Sequence, residues 1–325
     1  MFQWLIRLDQ KVRRYMILAA PVSLLAGVIF PQVFSRLLPA VPWAFAAMTF
    51  CGSLGSSFRQ LGEEFRRPRP LLVVLLILHV VLPLAAWGAG NLFFSHNPYF
   101  ITGMLLEYSI PTAVASLMWI GIYQGSNPLG LAVLMTDVVI SPFTIPLTLR
   151  LLSGSAVEVD AWGMVADLLL MVTLPALGAM GVNHLSRGQA GKVWSPRLSL
   201  LGKVCMVIVV SANSTKVAPY FANLTPDLVA VAAAIFSLTL LGYLLGWLAA
   251  GRLGLTDAQS KTCAFCCGLR NISAGVVIAA QYFPPDTLFP VIVGTLFQQF
   301  LAAVFGHLLT FCAGKGRKAG KNGDL

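Results

Sequence analysis

Charge is scarce in this sequence. Asp, Glu, Lys and Arg make up 10% of its 325 residues, whereas a soluble domain carries about 25%. Acidic side chains are fewest, 12 against 22 Lys and Arg, and there are four histidines. With 57% of residues hydrophobic, that deficit excludes a soluble globular chain. The apolar runs are continuous rather than alternating, which excludes a barrel of membrane strands. No Gly-Lys-Ser/Thr phosphate loop occurs, and no polar stretch is long enough for a soluble catalytic domain, so an enzyme is not expected. Cys51, Cys205, Cys263, Cys266, Cys267 and Cys312 lie in or beside apolar runs, without the spacing of a secreted disulfide framework. Cys263, Cys266 and Cys267 share a helix face, but no histidine or fourth cysteine nearby completes a tetrahedral set. They read as small buried residues, and no metal or cofactor is expected from them.

What the sequence has in quantity is long apolar runs. A helix needs about 20 apolar residues to cross about 30 Å of hydrocarbon. Ten such spans can be drawn, at 15–37, 42–62, 70–94, 98–123, 128–152, 161–184, 197–219, 226–251, 257–282 and 286–312. The first run, Tyr15 to Leu38, is longer than the roughly 7–15-residue core of a signal peptide and reads as a span. Asn97-Pro98, Asn127-Pro128, Ser195-Pro196 and Thr225-Pro226 each put a capping side chain before a proline suited to a first helical turn. Thr256 and Gln259 read as a capping box. With the N-terminus in the cytoplasm, 18 of the 22 Lys and Arg fall on the cytoplasmic side. Arg36, Arg150 and Lys216 fall outside, and Arg270 falls within the membrane. This bias places both termini in the cytoplasm of a cell membrane. It also explains the net charge of +10 without a nucleic-acid partner, since the basic tails touch anionic lipid.

The spans divide into a first repeat, 15–153, and a second, 154–313, flanked by a tail at 1–14 and a basic tail at 314–325. Five spans per half reverse the second half, which is the inverted-repeat plan of many secondary transporters. The fourth span is interrupted at Ser109-Ile-Pro-Thr-Ala113 and the ninth at Cys267-Gly-Leu-Arg-Asn271, the same ordinal place in each half. Both second halves begin near the midplane, where helix N-termini present unpaired N–H groups and partial positive charge. With Arg270 beside them they favour an anion, most simply a carboxylate. Thr112, Ser116, Asn271 and Ser273 are its candidate polar contacts, although small polar residues also pack and back-bond between helices. Glu107 and Asp137 have two readings each: neutralising Arg270, or carrying a coupled proton. Asp167 lies within two turns of the outer end of its span and reads as solvated. His79 and His307 read as helix-packing histidines.

Pro111-Thr-Ala-Val-Ala-Ser116-Leu117 resembles the Pro-Gly-Gly-x-x-Ser-Asn signature of the bile acid:sodium symporter superfamily. Cys266-Cys-Gly268-Leu-Arg270-Asn271 resembles its Glu-x-Gly-x-Gln-Asn signature. Leu131 to Pro146 with Thr136 and Ser141-Pro142, Met48 to Phe58 with Gly52, Arg67-Pro68, and Leu174-Pro175 to Asn183 are similar too. The resemblance implies a panel domain of the first, second, sixth and seventh helices and a core domain whose fourth and ninth helices cross. It also implies that an organic anion binds at that crossing, coupled to sodium. Where it implies a sodium-binding Asn, Glu and Gln, this chain reads Leu117, Cys266 and Arg270, while Ser116, Thr136 and Asn271 keep polar side chains.

The expectation is an all-α integral membrane protein of ten transmembrane helices in two inverted repeats, with the fourth and ninth broken and crossing. It is expected to transport a small organic anion of bile-acid, keto-acid or vitamin-like type. Arg270, held by Glu107 or Asp137, stands in for sodium, so coupling to sodium is weakened or absent. The rival readings are an ordinary sodium:organic anion symporter, a passive channel needing a continuous polar path, and a receptor or scaffold with no use for paired breaks. The topology generates a direct test. Single cysteines placed at Ser95 and Gly188 in a Cys-free background should label from opposite faces of the membrane; labelling of both from one face defeats the ten-span reading.

Overall fold

A computed structural model describes residues 16–56, 58, 62, 64–66, 68–153 and 160–321. The tail at 1–14, Arg67 and the joint at 154–159 lie outside the described residues. The longer helices are α1 (Met16–Ile29), α2 (Pro31–Ser53), α3 (Arg69–Phe94), α4 (Pro98–Ser109), α5 (Ala115–Ile122) and α6 (Asn127–Leu152). They continue with α7 (Ala161–Leu185), α8 (Ala190–Ser214), α9 (Pro226–Arg252), α10 (Asp257–Gly268), α11 (Ile272–Tyr282) and α12 (Pro285–Lys321). No strand occurs among the described residues. Seven of these helices, α2, α3, α6, α7, α8, α9 and α12, contain stretches long and apolar enough to cross a membrane. The protein is therefore an all-α integral membrane protein.

Several helix starts are set by local chemistry. Asn97 accepts from the Tyr99 and Phe100 N–H groups at 3.0 and 3.4 Å. Thr225 accepts from Leu228 N at 3.3 Å, and Thr256 with Gln259 closes a reciprocal capping box. Three details differ from the sequence reading. The run 15–37 is broken at Phe30 (φ −117°, ψ 54°) because Pro31 disfavours a helical residue before it. Ser126 rather than Asn127 caps α6, accepting from Leu129 N at 3.5 Å, with Pro128 inside the first turn. Ser195 lies within α8 and does not start it.

The position of Ser195 inside α8 has a cause that recurs at two other prolines. A proline lacks an N–H and its ring clashes with the carbonyl four residues back. At Ile77–Val81, Leu169–Thr173 and Ala190–Trp194 the chain widens into a π-turn, with Leu82, Leu174 and Ser195 bonding five residues back. Pro83, Pro175 and Pro196 each follow, carried within a continuing helix. Widened turns of this kind re-aim nearby side chains, and His79 is one of them.

α8 packs on α1 and α2, and α2 on α7; α4 packs against α3, α6 and α12, and α9 against α10 and α12. In the most apolar stretches of α6 and α12, 67% of residues are buried, against 17% in α8, so α6 and α12 are interior and α8 is peripheral. α9 meets α10 backbone to backbone through Gly242 and Gly246. A Cβ on these would lie 2.6 Å from the Cys267 carbonyl oxygen and 2.4 Å from that of Cys263. Gly246→Val should therefore cost about 1–3 kcal/mol by overpacking, read as a lower melting temperature in detergent. Gly251→Ala, whose added Cβ meets nothing within 4 Å, is the control. An unchanged Gly246→Val melting curve rules out the close approach.

Candidate functional site

The two breaks meet. α4 stops at Ser109 because Pro111 keeps Ile110 extended (φ −65°, ψ 152°). α10 stops at Gly268, whose missing side chain leaves room for the Tyr243 ring, and Leu269 is extended (φ −111°, ψ 124°). The two extended segments pair as an isolated antiparallel bridge between Thr112 and Arg270. Ala113 N donates to the Leu269 carbonyl at 3.1 Å, and Asn271 N to the Pro111 carbonyl at 2.8 Å. The Thr112 hydroxyl donates to the Cys266 and Leu269 carbonyls at 2.9 and 3.1 Å. Backbone groups freed by each break are thus satisfied largely by the other.

The N–H groups of the paired residues are held by side chains from two further helices. Thr112 N donates to Asp137 Oδ2 on α6 at 2.7 Å, and Arg270 N donates to Gln298 Oε1 on α12 at 3.0 Å. Gln298 Nε2 donates onward to Glu107 Oε1 at 2.9 Å, which fixes the orientation of the amide. Gly294 makes room for that carboxyl, since a Cβ there would lie 2.5 Å from Glu107 Oε1. Asp137 also accepts from the Ser141 hydroxyl at 3.1 Å. Its Oδ1 lies 3.0 Å from His79 Nε2, an ion-pair contact whose geometry falls short of a hydrogen bond. His79 thus lies against Asp137 at the site and is more than a packing residue.

Arg270 is buried and makes no ion pair among the described residues, so neither Glu107 nor Asp137 grips it directly. Its Nη1 donates to the Ile110 carbonyl at 3.1 Å and its Cζ lies 5.9 Å from the Tyr108 ring centroid. Among the described residues, its Nε and Nη2, Glu107 Oε2 and the Thr136 hydroxyl have no hydrogen-bond partner, and the Ser116 hydroxyl has only the Cys266 thiol beside it. Cys266 is a buried free thiol. The Asn271 side chain caps α11, accepting from Ala274 N at 3.4 Å, and Ser273 is half-buried on its first turn. Away from the crossing, Asp167 is not simply solvated. It accepts from Gln281 Nε2 and from Tyr282 Oη, the latter at 2.5 Å, beside a cavity of about 10 Å³ that Phe45, Met164 and Ala274 help to line.

Gln298 escapes sequence reasoning because an amide in an apolar span is also an ordinary packing residue. A signal did exist. Gln298 follows Arg270 by 28 residues, much as Asp137 follows Thr112 by 25.

The profile of the Sodium Bile acid symporter family matches residues 42–223. "Uncharacterized protein YbaS" of Bacillus subtilis (strain 168) is 39% identical over 292 residues, covering 90% of this chain and 95% of its own length. "Uncharacterized sodium-dependent transporter YocS" of the same organism is 24% identical over 271 residues, 81% of each chain. "Probable sodium/metabolite cotransporter BASS1, chloroplastic" of Arabidopsis thaliana is 24% identical over 293 residues, 87% of this chain and 70% of its own.

Removing Gln298 strands two buried groups at once, the Arg270 N–H and the Glu107 carboxyl. Gln298→Leu should cost about 1–3 kcal/mol, since both groups lose their partner. Ser116→Ala, which deletes a hydroxyl beside only the weakly bonding Cys266 thiol, should cost much less. Thermal melting in detergent compares them, and equal losses would show that the bridging amide does not matter.

Proposed function

Since the chain belongs to the sodium bile acid symporter family, we propose that it moves a small organic anion across the membrane by alternating access, with sodium coupling weakened or absent. Membership makes the protein a multi-pass membrane transporter of a small molecule and not an enzyme. The anion is a carboxylate of bile-acid, keto-acid or vitamin-like type. The observation that carries this reading is the convergence of two helix starts, α5 and α11, on one crossing beside a buried guanidinium. Asn271 and Ser273 are half-buried at the start of α11, whereas Thr112 and Ser116 are buried.

The same reading takes the chain as ten spans in two inverted five-helix repeats, 15–153 and 154–313. The matched bracing of Thr112 by α6 and Arg270 by α12 supports it. A panel of α1, α2, α7 and α8 moving against a core of the other helices is supported by the way those four pack on one another. The bias of Lys and Arg supports cytoplasmic termini.

Weak sodium coupling follows from Arg270. A guanidinium is a fixed cation, and its bond to the Ile110 carbonyl joins the two breaks as a bound ion would. Cys266 and Leu117 offer no hard oxygen side chain. Ordinary sodium:anion symport is the second reading, favoured by the unpartnered Thr136 hydroxyl, by the Ser116 hydroxyl with only a thiol beside it, and by the names of two relatives.

Counterflow of radiolabelled taurocholate, pyruvate and other carboxylates into proteoliposomes tests both. An ion coupled to a substrate changes its affinity by about 5–150-fold, so replacing sodium with choline should change uptake by less than about fivefold. A steep, saturable sodium requirement restores the second reading. Asn271→Ala should weaken uptake and also cost about 1 kcal/mol through the lost cap of α11. Uptake by Asn271→Ala equal to wild type for every carboxylate would place the site elsewhere.

A further inference from the structure

Among the described residues, the buried charged side chains are Glu107, Asp137, Lys261 and Arg270. Lys261 pairs with Asp257 at 2.8 Å in the first turns of α10. Two carboxyl groups and one guanidinium remain at the crossing. An arriving organic anion adds one negative charge in a medium that disfavours unpaired charge. A cation that arrives and leaves with it would offset that charge, and Arg270, a fixed cation, cannot.

His79 stands where that cation is wanted. Its Nε2 is 3.0 Å from Asp137 Oδ1, and its side chain is 10% exposed. The π-turn ahead of Pro83 sets its direction. Through Asp137, a change of charge at His79 reaches the N–H of Thr112 and hence the first break. The other titratable groups on the packed helices are engaged differently. Glu107 turns to Gln298, Tyr108 to Ile235 and Thr239, and Tyr243 to the Gln298 carbonyl. Cys263, Cys266 and Cys267 on α10 are buried thiols, and Arg270 follows them. Arg69, Arg150, Asp227, Arg252 and Asp257 lie at helix ends.

We infer that His79 and Asp137 form a proton-binding site, with the imidazole taking the proton, and that this proton accompanies the substrate anion. The inference rests on the proposal of sodium-independent anion transport. The proton passes from hydronium in the adjoining water to a ring-nitrogen lone pair, so one O–H bond breaks as one N–H bond forms, and the reverse happens on release. The positive charge of the imidazolium offsets that of the arriving anion, and proton and anion leave together on the far side.

The test uses full-length protein in pyranine-loaded liposomes in sodium-free choline buffer, with taurocholate and pyruvate as probes. In wild type an inward proton gradient should drive uptake and acidify the lumen. His79→Gln should lose the gradient-driven component by about tenfold or more, within the range of a coupled ion, while exchange at equal pH falls less. His79→Arg, a permanent cation, should exchange with no dependence on pH. His307→Gln is the control. Gradient-driven uptake that survives in His79→Gln overturns the inference. Should no carboxylate show counterflow in wild type, it is the transport reading that fails, and with it the coupling role. The imidazole ¹⁵N spectrum then decides the proton site alone, because the chain has four histidines. Signals absent in His79→Gln should change between about pH 5 and pH 8 and respond to Asp137→Asn; signals fixed across that range overturn the site.

Discussion

A backbone N–H or C=O in hydrocarbon has no water to bond, so a helix can be broken there only if something else receives the groups set free. In this protein most of that need is met by a second break. Pro111, Ala113, Leu269 and Asn271 exchange hydrogen bonds, and the Thr112 hydroxyl takes up carbonyls at the end of α10. Neither interrupted span is complete without the other. The remaining N–H groups, of Thr112 and Arg270, draw in Asp137 and Gln298 and so fix what α6 and α12 must carry.

The polar chemistry inside the protein follows from this bracing. Asp137 is a strong acceptor for one buried N–H, and it brings a charge that His79 faces. Gln298 is a neutral brace for the other, and its spare amide hydrogens face Glu107. Arg270 then sits among groups that lie within electrostatic reach without forming a contact pair, its nearest partners being a carbonyl and an aromatic ring. An arrangement in which charges are neighbours but not locked together keeps each of them available to an incoming ion, whereas a buried salt bridge would have to be broken first.

Much of the crossing is legible in the sequence because proline, glycine and charge in an apolar run are each costly and so each carry meaning. The breaks at Pro111 and Gly268, the capping box at Thr256 and the buried Arg270 can all be read this way. Partnership across the fold is less visible. Nothing local ties His79 to Asp137 or Gln298 to Glu107, which are 191 residues apart in the second case. The π-turns are also silent: Pro196 suggests a helix start when read from neighbouring residues alone, and nothing beside Pro83 or Pro175 announces a widened turn. Asp167 reads as solvated for the same reason, its partners Gln281 and Tyr282 belonging to a distant helix.

The mutual pairing of the breaks also has a consequence for biosynthesis. Thr112 and the Leu269 carbonyl that receives its hydroxyl are separated by 157 residues. At about 5–20 residues per second, the ribosome delivers the second break roughly 8–31 s after the first. For that interval the nascent break between α4 and α5 holds backbone groups whose partners have not yet been made. It must wait in the insertion machinery, or at the wet edge of the bilayer, until α10 and α11 arrive.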